Sequence, residues 1–287
     1  MKYLNPTILA IISGCCFGML GFIGVHLHDS GFSATNLLFW RFLIACPIAY
    51  FILIAKKQFK FSKRAFFAGG TFYFTSSLCF FTSLKYIGSG LASTLFYSFP
   101  IFTALFAFII HKKKPGKFTQ IALFLSIVGM PLLCNLSYEG TNLLGVLLAL
   151  LSAIICASYY IACQKISQNS EALNMSCSIF LGNLVSFTIL SIVTSDFILP
   201  NSVKTIAYIL ALSIIGTIIA NVALAESLKQ LSATKVAIFS VSEPITGLII
   251  AVSLLNEKIT VIQIIGGFLI ILAGCLAHFD KEEICDI

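Results

Sequence analysis

Glu243 has the most chemistry to offer in this chain. It lies in Lys235–Ile265, KVAIFSVSEPITGLIIAVSLLNEKITVIQII, an apolar run long enough to cross a bilayer. At about 1.5 Å per helical residue, a position eight residues into the run lies roughly 12 Å deep, near the midplane. An ionised carboxylate there costs about 2.5 kcal/mol or more unless it is paired, protonated or faces a wet cavity. Two roles fit that cost: a site for substrate or proton, or a buried hydrogen bond bracing the helices where Pro244 bends the chain. Helical spacing puts Ser240 and Gly247 on the face of Glu243.

A faint copy of this stretch occurs earlier. Ser98-Phe99-Pro100 precedes Ser242-Glu243-Pro244 by 144 residues, and Ser83-Leu84-Lys85 precedes Ser227-Leu228-Lys229 by the same offset. Pro100 and Pro244 each remove a backbone donor near mid-run, freeing the carbonyls of Phe96 and Ser240. Interrupted helices at matching positions of two halves point to a central site in duplicated transporters; a simple packing kink is the alternative. Ser93, Tyr97 and Pro100 share a face in the earlier copy and, with the Glu243 face, are candidate walls of a substrate cavity.

Other residues extend the candidate set. Arg41 lies a third of the way into the second apolar run, next to Trp40, the only tryptophan. It either anchors an anion or pairs with a carboxylate, or else it snorkels to the outer interface beside a belt tryptophan. Tyr73, Tyr159 and Tyr160 offer rings on which a ligand can stack. His26 and His28 read as interfacial, and Gly14, Gly18, Gly21 and Gly24 read as close helix contacts. Asn135, Asn183, Asn221 and Glu226 read as locally satisfied polar groups. No H-E-x-x-H, nucleophile–base set or phosphate loop occurs, so no catalytic residue is assigned. The ten cysteines lack metal spacing and read as packing residues. No metal and no cofactor is expected.

The elements that must position these residues follow from composition. Hydrophobic residues make up 59% of the 287 positions and charged residues 10%, against about 25% in soluble domains. Mean hydropathy is +1.01. The apolar residues fall in ten runs near 7–27, 34–55, 65–84, 91–110, 118–136, 142–163, 173–194, 204–225, 235–254 and 261–279. The expected fold class is an all-α integral membrane protein of ten transmembrane helices. The first run is read as a retained span, not a cleaved signal.

The net charge of +7 does not imply nucleic acid, because the cations are dispersed through short loops and only Arg41 and Arg64 are arginine. With the N-terminus cytoplasmic, fourteen basic residues face inside and Lys85, Lys204 and Lys258 face outside. The positive-inside rule therefore places both termini in the cytoplasm. Five runs lie on each side of a boundary near 140, giving repeats at 1–140 and 141–287. An odd number of spans per repeat sets the halves in opposite orientations, as two inverted five-helix repeats.

With these features the chain resembles the EamA family of the drug/metabolite transporter superfamily. The likeness is carried by Phe39-Trp40-Arg41-Phe42 and by Ser242-Glu243-Pro244 followed by Asn256-Glu257-Lys258-Ile259-Thr260, Gln263, Gly266 and Gly274. The first half departs from the family, with His111-Lys112-Lys113-Lys114 where Leu-Gly-Glu is common. The resemblance implies a central cavity bounded by spans 1, 3, 4, 6, 8 and 9 and a small organic substrate. The expected function is an inner-membrane transporter working by alternating access, exporting or exchanging amino acids or related metabolites. Uptake of a preformed metabolite such as S-adenosylmethionine is the alternative, and a membrane-embedded enzyme or sensor is the alternative of another class. The expected partners are the small-molecule substrate and the lipid bilayer.

Overall fold

The computed structural model describes residues 4–112, 114–134, 142–254 and 258–280. Asn135, the repeat boundary at Glu139-Gly140, and Asn256-Glu257 lie outside the described residues. Within them the chain is helical, with no strand. The order is α1 (Pro6–Asp29), α2 (Ala34–Ala55), α3 (Lys63–Phe67), α4 (Phe74–Ser83), α5 (Ser89–Phe96), α6 (Phe99–His111), α7 (Lys117–Leu133), α8 (Leu143–Ser167), α9 (Ala172–Thr194), α10 (Val203–Ser213), α11 (Ala220–Leu228), α12 (Ala233–Ser240), α13 (Ser242–Leu254) and α14 (Val261–Phe279). Two π-helical segments, Ala68–Tyr73 and Ile214–Ile219, join α3 to α4 and α10 to α11.

Eight helical stretches among the described residues are long and apolar enough to cross a membrane. The runs expected at 65–84 and 118–136 do not meet that standard. The first is the segmented Lys63–Ser83 stretch, and the second is the shorter apolar helix Lys117–Leu133. Helix starts follow the sequence: Asn5 caps α1 and Asn142 caps α8, each accepting the N–H two residues on, while Ser33, Ser62, Ser202 and Thr260 cap through the N–H three residues on. Thr260 and Gln263 form a reciprocal capping box, which gives the Thr-x-x-Gln pattern a structural role.

Packing is reciprocal between the halves. Helix α1 lies on α11 and α13, α8 lies on α4 and α6, α2 pairs with α9, and α7 pairs with α14. Helices α2, α8, α9, α11 and α12 supply much of the largest buried cluster, where Phe42 stacks on Phe187 at 5.9 Å. Large apolar side chains such as Phe124, Ile192, Val193 and Phe268 face outward, as a lipid solvent requires.

Gly14 and Gly18 allow α1 its close approach. A Cβ on Gly18 would lie 2.4 Å from the Glu243 carbonyl oxygen, and one on Gly14 would lie 2.1 Å from Ser242 Oγ. The matching expectation fails at Gly21, which has open space, and at Gly24, which meets only Leu37 at 3.9 Å.

One end of the bundle is fastened by Asp280, just beyond α14. Its carboxylate accepts from the Thr119 N–H and hydroxyl, each at 2.7 Å, and so caps α7 from another helix, while its carbonyl accepts from Lys235 Nζ at 2.7 Å. Partial burial works against ionisation of Asp280, but hydrogen bonds from Thr119 and Phe118 and the Lys235 charge outweigh it. Its pKa falls below the ordinary 3.8. A depressed folded-state pKa stabilises above the unfolded value and loses that stabilisation as pH drops through the folded one. Thermal melts in detergent should therefore weaken on the acid side below about pH 4, and Asp280→Asn should lower the neutral-pH melting point and flatten that limb.

Candidate substrate site

The fourth and ninth apolar runs are each split by a short break. Helix α5 stops at Phe96 and α6 restarts at Phe99; α12 stops at Ser240 and α13 restarts at Ser242. At the first break Tyr97 N–H bonds to Ser93 O at 2.8 Å and Ser98 N–H to Leu95 O at 3.2 Å; at the second, Val241 N–H bonds to Ile238 O at 3.2 Å. Pro100 and Pro244 sit in the first turns of the restarting helices, where a missing N–H leaves no bond unmade. Each interruption is a turn of one or two residues, and Ser89–Ile110 and Ala233–Leu254 each remain one apolar helical stretch.

Glu243 lies in the first turn of α13. The positive end of that half-helix dipole faces its carboxylate. The Tyr97 hydroxyl, from the other break, faces the same carboxylate, with Cys156 and Tyr160 of α8 close enough to feel its charge. Glu243, Tyr97, Pro244 and Ser93 keep part of their surface accessible. Tyr160 is buried and donates to Ser240 Oγ at 2.9 Å, and Ser240 donates to Val236 O at 2.9 Å.

Arg41 forms a second polar centre. It is 2% exposed, far from the snorkelling geometry offered as an alternative. Its Nε donates to Thr217 Oγ1 at 2.5 Å, Nη1 to Tyr73 Oη at 2.9 Å and Nη2 to Gly216 O at 2.7 Å. Thr217 and Gly216 belong to the π-helical segment 214–219. The Thr217 hydroxyl in turn donates to Leu212 O, five residues back, at 2.9 Å. The wide π turn thus presents a carbonyl and a hydroxyl to one guanidinium. Phe42, Phe17 and Tyr73 rings surround the cation, 5.2–5.9 Å from its carbon.

No carboxylate of the described residues ion-pairs with Arg41; the described ion pair is Lys229–Glu226 at 3.2 Å. Arg41 and Glu243 form no ion pair with each other. Between the two lies an aromatic series: Tyr73 to Tyr159 at 5.6 Å, Tyr159 to Tyr160 at 6.3 Å, and Tyr160 to Phe99 at 5.1 Å.

The structure therefore gathers Glu243, Tyr97, Ser240, Pro244, Pro100 and Ser93 around the two breaks, and Arg41, Tyr73 and Tyr159 around the π segment. Gly247 lies against α1, 3.7 Å from Gly18 O as measured from its would-be Cβ. Trp40 joins neither group: its Nε1 donates to Ile198 O at 2.9 Å and its ring stacks on Phe197 at 5.8 Å, pinning the 195–202 loop. Thr217 and Gly216 were absent from the sequence candidates, and no local pattern marks either of them. His26 packs between Phe22 and Tyr208. Asn183, Asn221 and Glu226 each bond within their own helix or turn, but Asn183 Oδ1 is buried with no hydrogen-bond partner among the described residues.

Eight helical stretches long and apolar enough to cross a membrane, two of them interrupted near their middles where polar groups gather, define a polytopic membrane protein. The family model of the EamA-like transporter family matches residues 5–134 and 143–278, and the chain belongs to that family. An uncharacterized transporter of Synechocystis sp. is 26% identical over 74% of this chain, which spans 65% of that relative's length. An uncharacterized transporter of Archaeoglobus fulgidus is 26% identical over 99% of this chain and 100% of its own. The uncharacterized transporter YyaM of Bacillus subtilis is 24% identical over 95% and 93%. A solved crystal structure shares the fold at a TM-score of 0.82 and 16% identity, over 95% of this chain and 96% of that one.

Proposed function

We propose that this chain is a carrier for small zwitterionic metabolites, amino acids or their close relatives, exported or exchanged by alternating access. The observation that carries it is a buried, charged Arg41 without an ion-pair partner among the described residues, separated by tyrosines from a partly accessible Glu243. Arg41 spends three of its five N–H groups on Thr217, Tyr73 and Gly216, leaving two to meet a substrate carboxylate. Glu243 and the tyrosine faces meet the ammonium group. Two fixed charges of opposite sign at separate points select a zwitterion over either simple ion.

Two inverted repeats, 1–140 and 141–287, give alternating access its mechanism: each half takes the conformation of the other about a pseudo-two-fold axis. The two matched segments, the paired breaks and the reciprocal packing support this arrangement. We place the protein in the inner membrane with both termini cytoplasmic, on the distribution of lysines. The family and the names of the relatives favour a carrier over a membrane-embedded enzyme or sensor.

Proteoliposome counterflow tests the reading. Preloaded neutral amino acids should accelerate entry of their labelled form in a saturable manner, while decarboxylated amines and deaminated acids should compete at least ten-fold less well. S-adenosylmethionine carries the same zwitterionic end, and sole counterflow of that compound would support uptake of a preformed metabolite instead. Unsaturable flux, or equal competition by the amines and acids, would sink the zwitterion site.

A further inference from the structure

A cleft away from both polar centres opens between α2 and α9, with a volume of about 310 Å³. Ligand clefts start near 300 Å³. Cys46, Pro47, Tyr50 and Phe51 of α2 form one wall, Cys177, Ser178, Leu181 and Leu184 of α9 the other, and Phe59 and Phe61 of the following loop close the end. Its lining is apolar.

The loop that closes it is built in place. Lys57, at φ +53°, turns the chain out of α2. Asn174 of α9 then grips the loop twice, its Oδ1 accepting from Lys60 N–H at 2.7 Å and its Nδ2 donating to Gln58 O at 2.8 Å. Ser62 N–H donates to Ser178 Oγ at 3.1 Å. Phe59 is thereby set edge-on against Tyr50, with ring centroids 5.0 Å apart. The same loop carries Lys56, Lys57, Lys60, Lys63 and Arg64, all exposed, without an acid among residues 55–67. Glu171, before α9, is the acid on the facing helix.

We propose that this cleft and loop form a binding site for one anionic phospholipid of the surrounding bilayer, an acyl chain lying in the cleft and the phosphate on the basic loop. A membrane-facing apolar slot ending at a cluster of cations has the shape and charge of such a lipid and not of a soluble ligand. Clustered lysines beside a transmembrane helix recruit anionic headgroups, and the slot adds a place for one chain to stay.

Native mass spectrometry of the whole protein in mild detergent, with phosphatidylglycerol or phosphatidylcholine of identical acyl chains, tests the site. The wild type should retain one phosphatidylglycerol at least ten-fold more readily than one phosphatidylcholine. The triple change Lys60→Gln, Lys63→Gln and Arg64→Gln should bring that ratio close to one. Leu181→Trp, which fills the slot, should reduce retention of both lipids; Leu184→Trp repeats the block if the first variant fails to elute as a single species. Equal retention of both lipids by the wild type overturns the proposal. So does unchanged phosphatidylglycerol retention in the tryptophan variants, or a dimer that disappears in them, which would put a second copy of the chain in the slot.

Discussion

Arg41→Lys should leave the protein folded and inserted yet lower zwitterion counterflow at least ten-fold, whereas Arg41→Ala should also destabilise it. The guanidinium reaches a hydroxyl, a carbonyl and a phenol at once because its donors diverge in a rigid fork. A lysine ammonium keeps the charge but presents donors from one point, so it satisfies part of the set and has less left for a ligand. Alanine removes the side-chain partner of the Gly216 carbonyl and of the Tyr73 hydroxyl in the interior, while Thr217 keeps its bond to Leu212 O. Each buried unsatisfied group costs about 1–3 kcal/mol, and losing a buried charged partner about 2–5 kcal/mol. At roughly 2–4 °C per kcal/mol for a chain of this order, the melting point should drop by roughly 5–15 °C. The KM of a zwitterion should rise in the lysine variant far more than that of its decarboxylated amine. An equal change for both substrates would assign Arg41 to packing alone.

What the sequence made legible here is the part governed by solvent and chain stiffness. Twenty-residue apolar runs, prolines at a fixed offset and lysine-rich loops follow from the bilayer and from the missing proline N–H, and they locate the spans and both breaks. The count of ten was less secure because Lys117–Leu133 is short and Lys63–Ser83 is interrupted by a π segment. A π turn depends on where an extra residue is accommodated against neighbours. At Gly69 and Gly70 the neighbour is α9, whose Ile179 and Gly182 carbonyls lie 2.4 and 2.9 Å from any added Cβ. No local pattern encodes that contact.

The candidate site was partly legible for the same reason. Glu243 and Arg41 stand out because charge is scarce in lipid, and both prove interior. Trp40 misled because proximity in sequence to Arg41 says nothing about direction: one helical position, about 100°, turns it to the 195–202 loop. Tyr159 and Tyr160 show the same effect in reverse. They are neighbours in sequence, yet Tyr160 bonds to Ser240 while Tyr159 packs on Tyr73. Thr217 was invisible because a threonine in an apolar run ordinarily bonds its own helix, which it does here while also receiving Arg41.

Glu243→Gln should abolish flux driven by a proton gradient while substrate exchange without a gradient survives at reduced rate. Glutamine keeps the size and an acceptor for Tyr97 but cannot carry a proton on and off or hold a negative charge. The twin of Glu243 in the first half is Phe99, buried against Tyr160, so the second half alone supplies a carboxylate at the breaks. If transport is proton-coupled, this carboxylate is the group at the breaks that would load and release the proton. The alternative is a brace, with Glu243 serving only to tie α13 to the α5–α6 break through Tyr97. A brace predicts the reverse pattern: Glu243→Gln neutral for coupling, and Tyr97→Phe as damaging to thermal stability as Glu243→Ala. Proteoliposomes with an imposed pH gradient, compared with equal-pH exchange for the wild type and the three variants, separate the two. Gradient-driven uptake or efflux by Glu243→Gln at the wild-type rate would leave the carboxylate a structural role only.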